Sequence, residues 1–408
     1  MEKKFNNKKA LLSLALGGFG IGLTEFVIMG ILPEVANGLQ VSIPEAGHFI
    51  AAYALGVVVG SPLLASMGDK LPSRKMLLLL MVWFTVFNTL SAFSPNYYTM
   101  LSMRFLSGLP HGAFFGIGSI VATTLAKEGK AAQAIAIMFS GLTVANLIGV
   151  PLGTYLGQTY SWSISFFLVG IVGILTFLSI FFWMPKIDGE VKQQSDEKEQ
   201  PKANVPVFKN GELWAIIALT AIGTGGFFAW YSYIAPLITD VANLPEYVVS
   251  YAMVIAGAGM VLGNFIGARM AEVYKPLKSV IISLTAMSLV LLINSFFAFN
   301  AIVVLVLAFS IGLITFTVAA PLQMAIINSA KGAEKIGASM NQSAFNIGNA
   351  SGAYLAGLPL VFGFSVTAAS VVGAILAGLG VLIAIGIMVY RKQKVKAEKQ
   401  KKQLASCC

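Results

Sequence analysis

AGHFIAAYALGVVVGSPLLASM (46–67), GDKLPSRK (68–75) and MLLLLMVWFTVFNTLSAF (76–93) follow one another without interruption. Two apolar runs of membrane-crossing length flank a short gap that holds Lys70, Arg74 and Lys75. A helix needs about 20 apolar residues to cross the hydrocarbon layer. The same alternation extends in both directions. Further runs stand at Ala10–Leu32, Tyr97–Ala126, Ala131–Leu156, Trp162–Met184, Leu213–Ile238, Val248–Met270, Leu277–Phe299, Ala301–Ser329, Ile336–Leu360 and Phe364–Tyr390, twelve in all. Basic residues precede the first run and occupy the even-numbered gaps and the tail, while the odd-numbered gaps hold none. By the positive-inside bias, the even gaps and both termini are expected to be cytoplasmic. The expected fold is therefore an all-α membrane protein of twelve transmembrane helices.

Composition agrees: 57% of the residues are hydrophobic and 11% are charged, against about a quarter charged in soluble chains. The first run is too long for a signal-peptide core and reads as a retained helix. The net charge of +10 comes from short loops and the tail, which points to anionic lipid headgroups and not to nucleic acid. Cys407 and Cys408, at the end of the chain, form no metal or disulfide pattern.

The gap from Pro185 to Glu212 is the only long one, and its polar centre reads as a linker. It divides the chain into six-helix bundles at residues 1–185 and 213–390, with a cytoplasmic linker at 186–212 and a basic cytoplasmic tail at 391–408. A shift of 203 positions lays Gly56 on Gly259, Gly60 on Gly263, Asp69 on Glu272 and Lys75 on Lys278. The halves thus read as parallel, pseudo-symmetric repeats, as in carriers that rock two bundles about a midplane site.

Polar groups inside the runs are the candidates for chemistry. Sixteen of the seventeen acids fall in loops, the linker, tails or span ends; Glu25 does not, and an acid at membrane depth is a functional candidate by default. Arg104 lies in the oppositely directed fourth run at a similar depth, so a buried pair is expected, either a switch in proton binding or a permanent structural ion pair. Arg104, Gly108, His111 and Phe115 share one helical face. His111 there reads as a ligand for a proton or substrate, or as a structural side chain. Gln342, Asn346 and Asn349 make a polar stripe on the eleventh run, and Phe227, Trp230 and Tyr231 an aromatic group on the seventh. With Gln323 of the tenth and Asn146 of the fifth, these are the expected cavity lining. No G-x-x-x-x-G-K-[ST] loop is present, which directs attention to a proton gradient as the energy source, with no cofactor. A proton crossing about 100 mV releases roughly 2.3 kcal/mol. The chain therefore reads as a transporter and not an enzyme, a monomer whose partners are a small-molecule substrate and protons.

Three motifs resemble those of the major facilitator superfamily. Gly60 to Lys75 resembles its loop motif, in which acidic and basic residues lock the cytoplasmic ends of the halves together, with Pro72 and Ser73 in place of the usual Gly and Arg. By this resemblance Asp69, Lys70, Arg74 and Lys75, with Glu272 as the repeat counterpart of Asp69, form a cytoplasmic gate. Arg104 to Gly112 resembles the span-four motif whose Arg is implicated in proton transfer. Gly141, Gly149, Pro151 and Gly153 match the span-five antiporter motif, whose glycines are expected to pack across the interface between halves. Trp162-Ser163 departs from the usual Trp-Arg. Together with Gly22-Leu-Thr-Glu25-Phe26, these motifs are similar to the twelve-helix drug:proton antiporters, in particular arabinose-efflux-like permeases. The resemblance implies proton-coupled export of a sugar, nucleoside or drug, with Glu25, Arg104 and His111 in proton coupling. Uptake by symport and a transport-inactive sensor or scaffold are the alternatives.

Overall fold

A computed structural model describes residues 7–41, 43–68, 71–185, 209–245 and 247–405, and all regular structure among them is helical. The twelve runs form twelve long helices: α1 (Asn7–Gly30), α2 (Ile43–Gly68), α3 (Ser73–Ser91), α4 (Tyr97–Leu125), α5 (Ala131–Thr159), α6 (Trp162–Trp183), α7 (Gly211–Tyr231), α8 (Tyr247–Tyr274), α9 (Pro276–Phe297), α10 (Ala301–Ser329), α11 (Glu334–Val361) and α12 (Ala368–Ala405). Eleven are long and apolar enough to cross a membrane; α11, diluted by its Ser, Asn and Gln residues, falls short on apolarity. Asparagine caps several starts, with the Asn96 side chain accepting from the Thr99 amide at 3.1 Å and Asn300 from Ile302 and Val303 at 3.0 and 3.1 Å.

Two ends differ from the sequence expectation. The seventh run breaks after Tyr231 into a short turn, Ile234–Pro236, and a wide helical turn, Leu237–Val241. The twelfth helix starts four residues later than its run and continues past Tyr390 into the expected tail without a break. Of the expected linker, residues 186–208 lie outside the described residues, as do Cys407 and Cys408; Glu212 belongs to the first turn of α7.

Lipid gives helices no hydrophobic reason to associate, so close packing falls to small residues. Gly56 and Gly60 of α2 press on the backbone carbonyls of Phe105 and Leu109 in α4, and Gly259 and Gly263 of α8 press on those of Phe309 and Leu313 in α10. The same repeat governs hydrogen bonds. Asn7 Nδ2 donates to the Leu125 carbonyl (3.1 Å), and Asn210 Nδ2 to that of Ser329 (2.8 Å).

The glycines of α5 do not sit where the antiporter-motif resemblance put them. A Cβ on Gly149 would lie 2.7 Å from the Phe19 ring, and one on Gly153 2.7 Å from Val27 Cγ2; Gly141 meets the Ala15 carbonyl. All three neighbours belong to α1, so this stripe packs within the first set of helices, α1–α6, and not across to the second, α7–α12. The reason is reciprocal: Gly18 and Gly22 of α1 meet Met138 and Leu142 of α5, which draws these two helices together along both glycine faces. Pro151 is exposed. It follows a wide π-type turn, Ala145–Gly149, consistent with a proline that cannot donate to the preceding turn. A different face of α5 meets the second set, where Asn264 Nδ2 donates to the Ala136 carbonyl at 2.6 Å and Gly257 rests on Leu147.

Candidate functional site: a central cavity and its polar flanks

A cavity lies between the two sets of helices, and its wall draws on α1, α4, α5, α7, α8, α9, α10 and α11. Most of the wall is aromatic or aliphatic, with Phe26, Phe139, Phe227, Phe228, Tyr231, Phe316 and Phe345 the largest groups. Asn146, Gln342, Asn346, Thr224, Thr315 and His111 supply hydrogen-bonding groups, and Glu25 the single carboxylate; no Lys or Arg is among the lining residues.

Several expected lining residues face elsewhere. Trp230 is 1% exposed and packs into the core beside Phe227, its indole N–H without a partner. Asn349 is not part of the wall, because one further turn along α11 carries the stripe out of the cavity. Gln323 is fully buried in a hydrogen-bonded chain: its Nε2 donates to Ser119 Oγ (2.9 Å) and the Ala338 carbonyl (3.1 Å), while its Oε1 accepts from Asn341 Nδ2 (2.7 Å). Thr220 Oγ1 extends the chain to Asn341 Oδ1 at 2.8 Å. This joins α4 to α7, α10 and α11 between the cavity and the basic ends. Sequence alone could not separate these roles, since an amide suits a cavity wall and a helix interface equally well.

The expected Glu25–Arg104 ion pair is absent among the described residues. Arg104 is fully buried and donates instead to Thr24, from Nη1 to Oγ1 at 2.9 Å and from Nη2 to the carbonyl at 3.2 Å. Thr24 Oγ1 in turn donates to Asn88 Oδ1 at 2.5 Å. The guanidinium lies 4.5 Å from the centre of the Tyr53 ring and 5.6 Å from that of Phe166. Tyr53 then reaches His111, with its hydroxyl 3.1 Å from Nδ1. One residue explains the difference: Thr24 and Glu25 are about 100° apart around α1, so holding Thr24 leaves the carboxylate directed at the cavity. Thr24, Tyr53 and Asn88 were not anticipated because each is an uncharged side chain in an apolar run.

At the basic ends, Asp69 and Lys70 lie outside the described residues. Lys75 is exposed. Arg74 does not reach the second set of helices; it donates to the Phe181 carbonyl and lies 5.6 Å from that ring, within the first set. Glu272 at the end of α8 does cross. Its carboxylate accepts from the Gln133 amide (3.2 Å), Gln133 Nε2 (3.0 Å) and Lys130 Nζ (3.4 Å), all at the start of α5. A second cluster ties the second set to itself, with Arg391 Nη2 2.6 Å from Glu212 Oε1 and 3.0 Å from Ser329 Oγ.

Membrane-length helices arranged as a repeat around a central cavity, with a lone acid in an otherwise uncharged wall, define a polytopic membrane transporter. The chain belongs to the Major Facilitator Superfamily, whose family model matches residues 14–353. It is 40% identical over 358 residues to AraJ of Escherichia coli (strain K12), covering 88% of this chain and 89% of that one. Against the inner membrane transport protein YdhP of the same organism it is 38% identical over 385 residues, covering 94% and 96%. The crystal structure of the transporter FucP in the outward conformation shares the fold at a TM-score of 0.74 and 13% identity, covering 93% of this chain and 98% of that one.

Proposed function

We propose that this transporter exports small organic molecules in exchange for protons, alternating access to the cavity by rocking the six-helix bundles at 1–185 and 213–390. The observation that carries this reading is the position of Glu25: a carboxylate at the cavity wall, free of any ion pair among the described residues, with Arg104 held aside on Thr24. An acid so placed can take up a proton from the same space that admits the substrate, which makes their binding competitive. Competition for one site is the basis of exchange. The glycine and proline pattern of α5, similar to the antiporter motif, supports antiport over uptake. The basic ends are taken as cytoplasmic and the membrane as the bacterial plasma membrane, consistent with the name of YdhP. The proton gradient supplies the energy, the working unit is a monomer, and the basic tail lies against anionic headgroups.

The cavity also narrows the substrate. Its aromatic wall suits a bulky apolar body, its amides a few polar substituents, and its single charge is negative, which disfavours organic anions. A neutral or cationic aromatic molecule fits better than a free sugar, which needs polar groups on every face. A chloramphenicol resistance protein of Streptomyces lividans, 26% identical over 92% of both chains, is in keeping with that class. The test uses proteoliposomes and a panel of chloramphenicol, arabinose, uridine and a lipophilic cation. Wild type should accumulate the accepted compound when a pH step drives protons the opposite way, and Glu25→Gln should lose accumulation while keeping gradient-free exchange. Accumulation by the Gln variant would show that Glu25 is not the coupling acid. Accumulation only with protons moving in the same direction would establish symport.

A further inference from the structure

We infer that Tyr53 holds His111 in its Nε2–H tautomer, so that the imidazole presents a fixed hydrogen-bond donor to the cavity and a transported molecule places an acceptor against it. The second half of this statement rests on the transport reading above; the first does not.

The argument is an accounting of protons in a buried pair. Tyr53 is 2% exposed and His111 1% exposed, and the Tyr53 hydroxyl lies 3.1 Å from Nδ1. Two neutral arrangements are open to this contact. Either the hydroxyl donates to a bare Nδ1, or Nδ1–H donates to the phenol oxygen. In the second, the hydroxyl proton of Tyr53 has no acceptor, because His111 is its one hydrogen-bond partner among the described residues. An unsatisfied buried donor costs about 1–3 kcal/mol. The first arrangement leaves no such orphan. It also agrees with the Arg104 guanidinium 4.5 Å from the centre of the Tyr53 ring, since a neighbouring cation draws electron density from the phenol and makes its hydroxyl the better donor. A doubly protonated imidazole would again leave the Tyr53 hydroxyl proton without an acceptor and would set two cations on either side of one phenol.

The ring is also held in orientation. Phe115 lies 5.4 Å from it, centroid to centroid, and is itself stacked on Phe139 at 5.0 Å. His111 contributes to the cavity wall whereas Tyr53 does not, so the nitrogen left for a cavity occupant is Nε2. With Nδ1 committed to Tyr53, Nε2 carries the proton and acts as donor only. Among the other polar wall groups, Asn146 and Asn346 each spend an amide N–H on a backbone carbonyl at 3.1 Å, the Thr224 and Thr315 hydroxyls donate to the carbonyls of Thr220 and Ile311 at 2.7 Å, and Glu25 is a carboxylate, so most of them offer the cavity acceptors. His111 differs from these as a donor fixed from behind by another side chain, which makes Tyr53 a positioning residue for specificity.

The chain has two histidines, His48 and His111, so the tautomer can be read directly. Protein labelled with 15N-histidine in lipid bilayers gives four ring-nitrogen signals, and His48→Gln removes those of the exposed residue. The remaining imidazole should show a bare Nδ1 and a protonated Nε2. Tyr53→Phe, which keeps the ring beneath Arg104 and removes only the hydroxyl, should give a mixture of tautomers. A protonated Nδ1 in otherwise wild-type protein would overturn the proposal, and this spectrum does not depend on the Phe variant folding. So would a Phe variant with unchanged signals. The ligand half is tested by adding acetophenone or its acceptor-free analogue ethylbenzene. Acetophenone should shift the Nε2 resonance and ethylbenzene should not; equal responses would refute the acceptor preference. If the tautomer is as expected but no compound is moved across liposomes, the transport reading fails and the assignment of Tyr53 stands.

Discussion

Glu272→Gln removes one charge from the contact that joins α8 to the start of α5 and leaves its shape almost intact. The carboxylate accepts from the Gln133 amide at 3.2 Å and from Gln133 Nε2 at 3.0 Å, with Lys130 Nζ at 3.4 Å. Hydrogen bonds to a charged group contribute about 1.5–3 kcal/mol and neutral ones about 1 kcal/mol. The Gln variant has one acceptor oxygen in place of two, so it keeps at most part of the Gln133 contact, in the weaker neutral form. The Lys130 side chain is 43% exposed, and such pairs contribute under about 1 kcal/mol. The combined loss is about 1–3 kcal/mol, which moves an equilibrium between conformations roughly 5- to 150-fold toward separation of the basic ends. Ser339 reports that separation, because it is fully buried against Gly116 and its hydroxyl has no partner to lose. With Cys407 and Cys408 replaced by Ser, maleimide labelling of Ser339→Cys should be faster by that factor when Glu272→Gln is added. An unchanged or slower rate would refute the idea that Glu272 holds these ends together.

Arg104→Lys should be inactive in the proteoliposome assay, since an ammonium cannot donate to both Thr24 oxygens while covering the Tyr53 ring; normal transport would reduce Arg104 to a counter-charge. Gly149→Leu should lower thermal stability by about 1–3 kcal/mol through the clash with Phe19, read as the melting temperature of purified protein. Since the clash lies inside the first set of helices, the variant should remain proton-tight in liposomes; a leak would place the side chain at the contact with the second set after all. Asn346→Ala should weaken transport of the accepted substrate several-fold while Asn349→Ala leaves it unchanged, measured as initial exchange rates, because only Asn346 reaches the cavity wall.

How far the sequence could be read depends on what each signal measures. Hydropathy measures the cost of placing a side chain in lipid, and it located the twelve runs but not the break after Tyr231 or the continuation of the twelfth helix past Tyr390. Glu25 stood out for the same reason. Helical periodicity locates a face without naming its neighbour, which is why the glycines of α5 were legible as a packing stripe but not as a stripe against α1. Arg104 was legible as a buried cation seeking a partner. Its choice of Thr24 over Glu25 was not, because a hydroxyl and a carbonyl within an apolar helix leave no mark on composition. Trp230, Gln323 and Asn349 show the converse: residue types suited to a cavity, turned by the helix into a core, an interface and a position beyond the wall.

The wide turn at Ala145–Gly149 bears on how α5 tolerates change. Gly141 and Gly149 both touch α1 although eight positions separate them. At 3.6 residues per turn, eight residues overshoot two full turns by about 80°. The wider turn absorbs that excess and works as an angular spacer, bringing the part of the helix after Gly149 back into phase with the part before Ala145. Side chains in this segment can be exchanged one at a time with local effects. Its length tolerates one change too: removing one residue between Ala145 and Ile148 would leave Gly141 and Gly149 seven positions apart, about 20° short of two turns of regular helix, so Gly153 would stay on α1, whereas tightening the wide turn at full length would swing Gly153 off α1 by about 80°, like a dial turned by one notch.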